Sequence, residues 1–139
     1  MVTVAAAHLE PIWMDRTATI ARAVEAIAGA AAEGVDLLVF PEAFVPGFPY
    51  WINLGVPPPL QQSLWVALHG QALVLDGTEC SQDIDPVLVA ARDHGVTIVL
   101  GATERSGQQL YNVQVLTGSD GDIVGWRRKL VPTLFERTV

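Results

Sequence analysis

Two short apolar runs bracket a helical pattern at the start of the chain, and this arrangement limits the fold more than any other feature. Val2–Ala7 and Val35–Phe40 read as strands. The second is near-continuously apolar after Asp36, the pattern of a strand buried on both faces. Between them, Asp15 can cap a helix running to about Glu33, with Ile20, Val24, Ile27 and Ala31 on one face and Gly34 closing it. Strand, helix and strand within about forty residues predict a right-handed crossover joining two parallel strands.

The rest of the chain extends this plan. A helix is expected over about Leu60 to Gly70, followed by an extended piece to about Thr78. Another helix starts at Ser81 or Asp83 and ends at His94, with Gly95 as a left-handed cap. Val96–Ala102 and Leu110–Leu116 read as strands. Thr117–Asp122 makes a turn, and Ile123–Arg128 returns antiparallel. The order β-α-β-α-α-β-β-β predicts an α/β layered fold, read as one domain over 1–139.

Charge narrows the possible partners. The first 70 residues hold 2 basic against 6 acidic side chains and the remainder 6 against 9, for a net charge of -7. Nucleic-acid grooves and anionic membrane surfaces need clustered Lys and Arg, so neither partner is expected. With 50% hydrophobic and 17% charged residues, disorder is a poor reading. The start has no basic segment ahead of its apolar run, and charges break every apolar stretch well short of ~18 residues. One cysteine, Cys80, excludes an internal disulfide and favours a reducing compartment, so the expectation is cytoplasmic.

Pro41 to Pro59 stands apart, with six prolines, two glycines and the aromatics Phe44, Phe48, Tyr50 and Trp51. Proline fixes φ and removes backbone donors, so this is a shaped loop, and long loops inside compact domains are often functional. Glu42 opens it, just beyond a buried strand. Ligands gather at the carboxyl ends of strands in open α/β sheets. Flanking by Pro41, Ala43 and Phe44 predicts a desolvated carboxylate, and desolvation makes a carboxylate a better base. The competing reading is a loop glutamate paired with an arginine. Lys129 is the only lysine beside seven arginines. A compact ammonium at a strand end suits close-range stabilisation of an oxyanion, or it is a solvated edge charge beside Arg127 and Arg128.

Phe40-Pro41-Glu42-Ala43-Phe44-Val45-Pro46-Gly47-Phe48-Pro49 and Arg128-Lys129-Leu130-Val131-Pro132-Thr133-Leu134-Phe135-Glu136-Arg137 resemble motifs of the nitrilase superfamily of carbon–nitrogen hydrolases. Gly101-Ala102-Thr103-Glu104-Arg105 and Leu110-Tyr111-Asn112-Val113 resemble the strand-and-turn blocks between them, so the resemblance covers essentially the whole chain in order. The two long motifs look more like the nitrile-hydrolysing branch than the amidase or carbamoylase branches.

The resemblance implies the N-terminal part of an α-β-β-α sandwich and a small nitrile or amide as substrate, cyanide included. No metal or organic cofactor is implied. It also implies a homo-oligomer in the full-length form. Glu42 matches the general base that takes a thiol proton, Lys129 the cation that stabilises the adduct, and Glu136 a second glutamate that positions nucleophile and substrate. Phe48, Tyr50 and Trp51 are candidate pocket walls, with ordinary core or subunit contacts as the other reading.

The family's cysteine lies a few tens of residues after the lysine, whereas Cys80 precedes it in a different context and reads as a small, inert side chain. The expectation is therefore an N-terminal fragment without its nucleophile, inactive alone. A non-catalytic interaction partner, or an amidase or carbamoylase of the same superfamily, are the alternatives.

Overall fold

The computed structural model of the chain describes residues 1–75 and 82–132, so Cys80 and Glu136 lie outside the described residues. β1 (Val4–Ala6), α1 (Arg16–Ala32) and β2 (Leu37–Val39) form the expected crossover, with β1 and β2 parallel. Both strands are shorter than predicted. At one end the Thr3 N–H donates to the Asp36 side chain at 2.7 Å, outside the strand ladder. At the other, Phe40 already bonds across to Val99. α1 starts as its sequence dictates: the Asp15 carboxylate accepts from the Ala18 N–H at 2.9 Å, and Gly34 follows at φ +75°.

α2 (Pro58–Gln71) begins at Pro58 and not at Leu60, because Pro58 and Pro59 sit in the first turn, where a missing N–H leaves no bond unmade. A 3₁₀ turn over Gln82–Ile84 leads into α3 (Asp85–His94), which ends on Gly95 as predicted. The predicted end of the extended piece at Thr78 and the helix start at Ser81 lie outside the described residues.

β3 (Thr97–Ser106) continues past the predicted end at Ala102. Glu104 and Arg105 interrupt the apolar run, yet they pair with Tyr111 and Leu110 of β4 (Gln109–Thr117) across a hairpin closed by Gly107 and Gln108. β5 (Ile123–Arg128) pairs antiparallel with β4. The five strands form one sheet in sequence order, parallel from β1 to β3 and antiparallel thereafter.

α1 and α3 pack together on one face of this sheet. Ile20, Ala23, Ile27, Val87 and Ala91 are buried there against Leu38, Ile98 and Leu100. Each of the larger side chains contributes roughly 2 kcal/mol by leaving water. The register puts Val4, Leu37, Val39, Val99 and Leu116 on the opposite face. Val4 remains 59% exposed and Leu116 37%. One helical layer on one sheet is the first half of the expected sandwich.

Candidate active site

Glu42 is presented by a bulge in the chain. Phe40 bonds to Val99 and Val45 bonds to Gly101, so the chain loops out over Pro41–Phe44 while β3 advances only from Val99 to Gly101. The loop lies directly on β3. A Cβ at Gly101 would stand 1.9 Å from the Pro41 carbonyl oxygen and 3.0 Å from the Glu42 Cα, so glycine is required at this strand position. Ala43 turns the loop back with φ +50°, a left-handed conformation that a non-glycine residue holds only when its surroundings impose it. Val45 then rejoins the sheet beside Ala102, and Leu73, after α2, does the same beside Glu104.

Lys129 reaches the same place from the other side. Its N–H donates to the Asn112 carbonyl at 2.8 Å, extending the β4–β5 ladder one step beyond Arg128. Lys129 Nζ meets Glu42 Oε1 at 2.8 Å, with the lysine side chain 28% and the glutamate 51% exposed. Asn112 Nδ2 donates to that same oxygen at 2.5 Å. The expected partner of a structural Glu42 was an arginine; here it is the lysine of the second motif. The expected desolvation is not present in this chain, since the Glu42 side chain is half exposed. An open cleft of about 230 Å³, lined by Glu42, Asn112, Gln114, Arg127 and Lys129 among others, gives access to the pair.

A second ion pair stands on the other face, where the sequence offered only motif membership. Arg128 Nε and Nη2 donate to the two oxygens of Glu104 at 2.8 and 2.7 Å, and the guanidinium lies 3.7 Å above the Tyr111 ring centre. Glu104 is buried. Its hydrogen bond is the main cause holding the Arg128 guanidinium above its ordinary range, against the desolvation that burial imposes. The pair spans β4 and ties β5 to β3. Neighbouring strand residues face opposite ways, so fixing Arg128 on one side directs Lys129 to the other. One signal was available for Asn112, a poor strand former set inside the predicted strand Leu110–Leu116.

The loop aromatics divide. Phe48 lines a small apolar recess with Ala43, Trp65, Leu68, Leu110 and Asn112, the last of which also lines the cleft at Glu42. Trp51 is buried, edge-on between Trp13 (5.9 Å) and Trp65 (5.1 Å), and anchors the loop to the segment before α1 and to α2. Tyr50 packs edge-on against Phe48 at 5.5 Å and is 57% exposed, outside the recess. Phe44 is buried against Phe40. Among the described residues no group of three His, Cys, Asp or Glu side chains is placed to hold a metal ion.

Comparison with known proteins places the chain in a family. An aliphatic nitrilase of Rhodococcus rhodochrous is 40% identical over 136 residues, covering 98% of this chain and 36% of that protein. An arylacetonitrilase of Aspergillus niger is 39% identical over 138 residues, covering 99% and 39%. A cyanide hydratase of Armillaria gallica is 37% identical over 138 residues, covering 98% and 37%. The crystal structure of a Saccharomyces cerevisiae member of branch 10 of the nitrilase superfamily superposes with a TM-score of 0.73 at 21% identity, over 99% of this chain and 46% of that one. The chain thus spans less than two fifths of the length of these curated relatives. The model of the carbon–nitrogen hydrolase family matches residues 3–139, and the chain belongs to that family.

Proposed function

We propose that these residues supply the base and the cation of a nitrile-hydrolysing site whose thiol comes from the longer polypeptide typical of the relatives. One observation carries the reading. Glu42 and Lys129, 87 positions apart, meet at 2.8 Å at the carboxyl end of the parallel strands. Glu42 takes the proton of a cysteine thiol, and the thiolate adds to the nitrile carbon to form a thioimidate. Water adds, ammonia leaves, and a second water cleaves the thioester to the carboxylic acid. Overall, a nitrile and two waters give an acid and ammonia. Each addition builds negative charge on nitrogen or oxygen, which the Lys129 ammonium stabilises at short range.

Glu136 is assigned the positioning role that its motif implies, and Phe48, with Trp65 and Leu110, the apolar wall for the substituent on the nitrile. We further read the working form as a cytoplasmic homo-oligomer. The single cysteine supports the compartment, and the assembly state is the one the family resemblance implies.

The test is a chimera in which these 139 residues replace the matching stretch of the R. rhodochrous aliphatic nitrilase. The chimera should release ammonia from aliphatic nitriles or arylacetonitriles with the acid as product, and Lys129→Met should lower turnover by about 10³. A folded, assembled chimera that cleaves only amides would shift the reading to an amidase. One that cleaves neither would end it. The unfused chain should show no turnover.

A further inference from the structure

We infer that Asn112 is a positioning residue for the Glu42 carboxylate, selecting which of its two oxygens is left to accept a proton. The role rests on Glu42 acting as the base. The terminal torsion of a glutamate is broad and nearly two-fold, so nothing intrinsic distinguishes Oε1 from Oε2. A half-exposed carboxylate held by one flexible lysine would exchange them.

Asn112 removes that symmetry. Its amide donates to Oε1 at 2.5 Å, the oxygen that Lys129 Nζ already occupies at 2.8 Å. Oε2 accepts no hydrogen bond from any described residue. Both donors therefore converge on one oxygen, and among the described residues the lone pairs of the other are uncommitted. The same residue holds the cation, since its carbonyl accepts the Lys129 N–H at 2.8 Å. Side chain to the base and main chain to the lysine, Asn112 sets the distance between them.

Its location makes the grip rigid. Asn112 lies inside β4, paired with Thr103 of the central β3 on one side, and its carbonyl receives the chain that continues β5 on the other. A site built on strands is held more closely than one built on loops. Asparagine is disfavoured in strand interiors, and its neighbours Tyr111 and Val113 are favoured there, so the choice of residue follows from the contact it makes.

The sequence offers a direct probe. Lys129 is the only lysine, so lysine labelled with ¹³C and ¹⁵N gives a single ammonium signal for the 139-residue chain. Asn112→Ala and Asn112→Leu, which both lose the donor and add no charge, should each move and sharpen that signal toward an exposed lysine. The change should be at least half that produced by Glu42→Gln. An unchanged signal in both variants, with Glu42→Gln still effective, would overturn the inference.

In the chimera, either substitution should lower kcat at least tenfold with KM within about twofold. Unaltered kcat in a chimera that otherwise turns over nitriles would also overturn it. If the unsubstituted chimera is inert, the nitrile reading falls while the lysine signal still decides whether Asn112 holds the pair.

Discussion

Glu104 and Arg128 are joined by two parallel hydrogen bonds that reach across an intervening strand, with the glutamate side chain 1% exposed and the arginine 41%. The asymmetry in exposure decides what each partner is worth. Removing Arg128 strands a carboxylate beneath the sheet, whereas removing the charge of Glu104 leaves an arginine that water can reach. Arg128→Met should therefore cost about 2–3 kcal/mol of stability and Glu104→Gln about 1 kcal/mol. Glu104→Leu combined with Arg128→Met should recover part of the larger loss. Urea unfolding of the three variants measures this, and equal losses for the two single changes would contradict the ordering.

Gly101 sets how closely the loop bearing Glu42 can approach the sheet. A Cβ only 1.9 Å from the Pro41 oxygen cannot be absorbed by a side-chain rotation, because the obstacle is main chain. Gly101→Ala must push the loop away from β3. Overpacking of this kind costs about 1–3 kcal/mol. The displacement also moves the carboxylate by about 1 Å, and misplacement on that scale lowers turnover by roughly 10². Thermal melting of the chain and nitrile turnover of the chimera read the two effects separately. Retained activity would show that the close approach is not needed.

Much of the architecture was legible because hydrophobic period and punctuation agreed. Asp15, Gly34 and Gly95 mark helix ends through side-chain capping and left-handed geometry, which are local properties. Misplaced boundaries have equally local causes, such as Pro58 and Pro59 starting a helix that an apolar count began at Leu60. Glu104 failed to read as strand because its charge is cancelled by Arg128, whose proximity only the folded sheet reveals. Glu42 and Lys129 were legible through their motifs, whereas Asn112 stood in a motif block with no role attached. Its function depends on cross-strand register, which leaves only the weak sign of a poor strand former in a strand. For Trp51 the sequence left pocket wall and core contact both open, because the contacts with Trp13 and Trp65 that bury it join segments distant in sequence.

The sheet face opposite α1 and α3 should drive self-association. Val4, Leu37, Val39, Val99 and Leu116 lie in register across four strands, with Val4 59% and Leu116 37% exposed. Contiguous apolar surface of this kind seeks cover, and among the described residues no strand pairs with the outer edge of β5. Sedimentation velocity should show concentration-dependent association. Val99→Thr with Leu116→Lys should weaken it without altering the helix-packed core. A single monomeric species with cooperative melting, unaffected by those changes, would contradict the expectation.

Stability and activity should separate cleanly at the central pair. Glu42 is 51% and Lys129 28% exposed, and ion pairs this open contribute about 0–1 kcal/mol, since water solvates either charge almost as well alone. Glu42→Gln keeps an oxygen for Lys129 and Asn112, so the unfolding free energy should change by less than about 1 kcal/mol. The same substitution removes the proton acceptor, and loss of a positioned general base costs about 10²–10⁴ in rate. In the chimera, turnover should therefore collapse while the urea midpoint of the 139-residue chain barely moves. A large stability loss with turnover intact would mean that the pair exists to hold the fold, because only a group kept for chemistry is thermodynamically expendable and kinetically required.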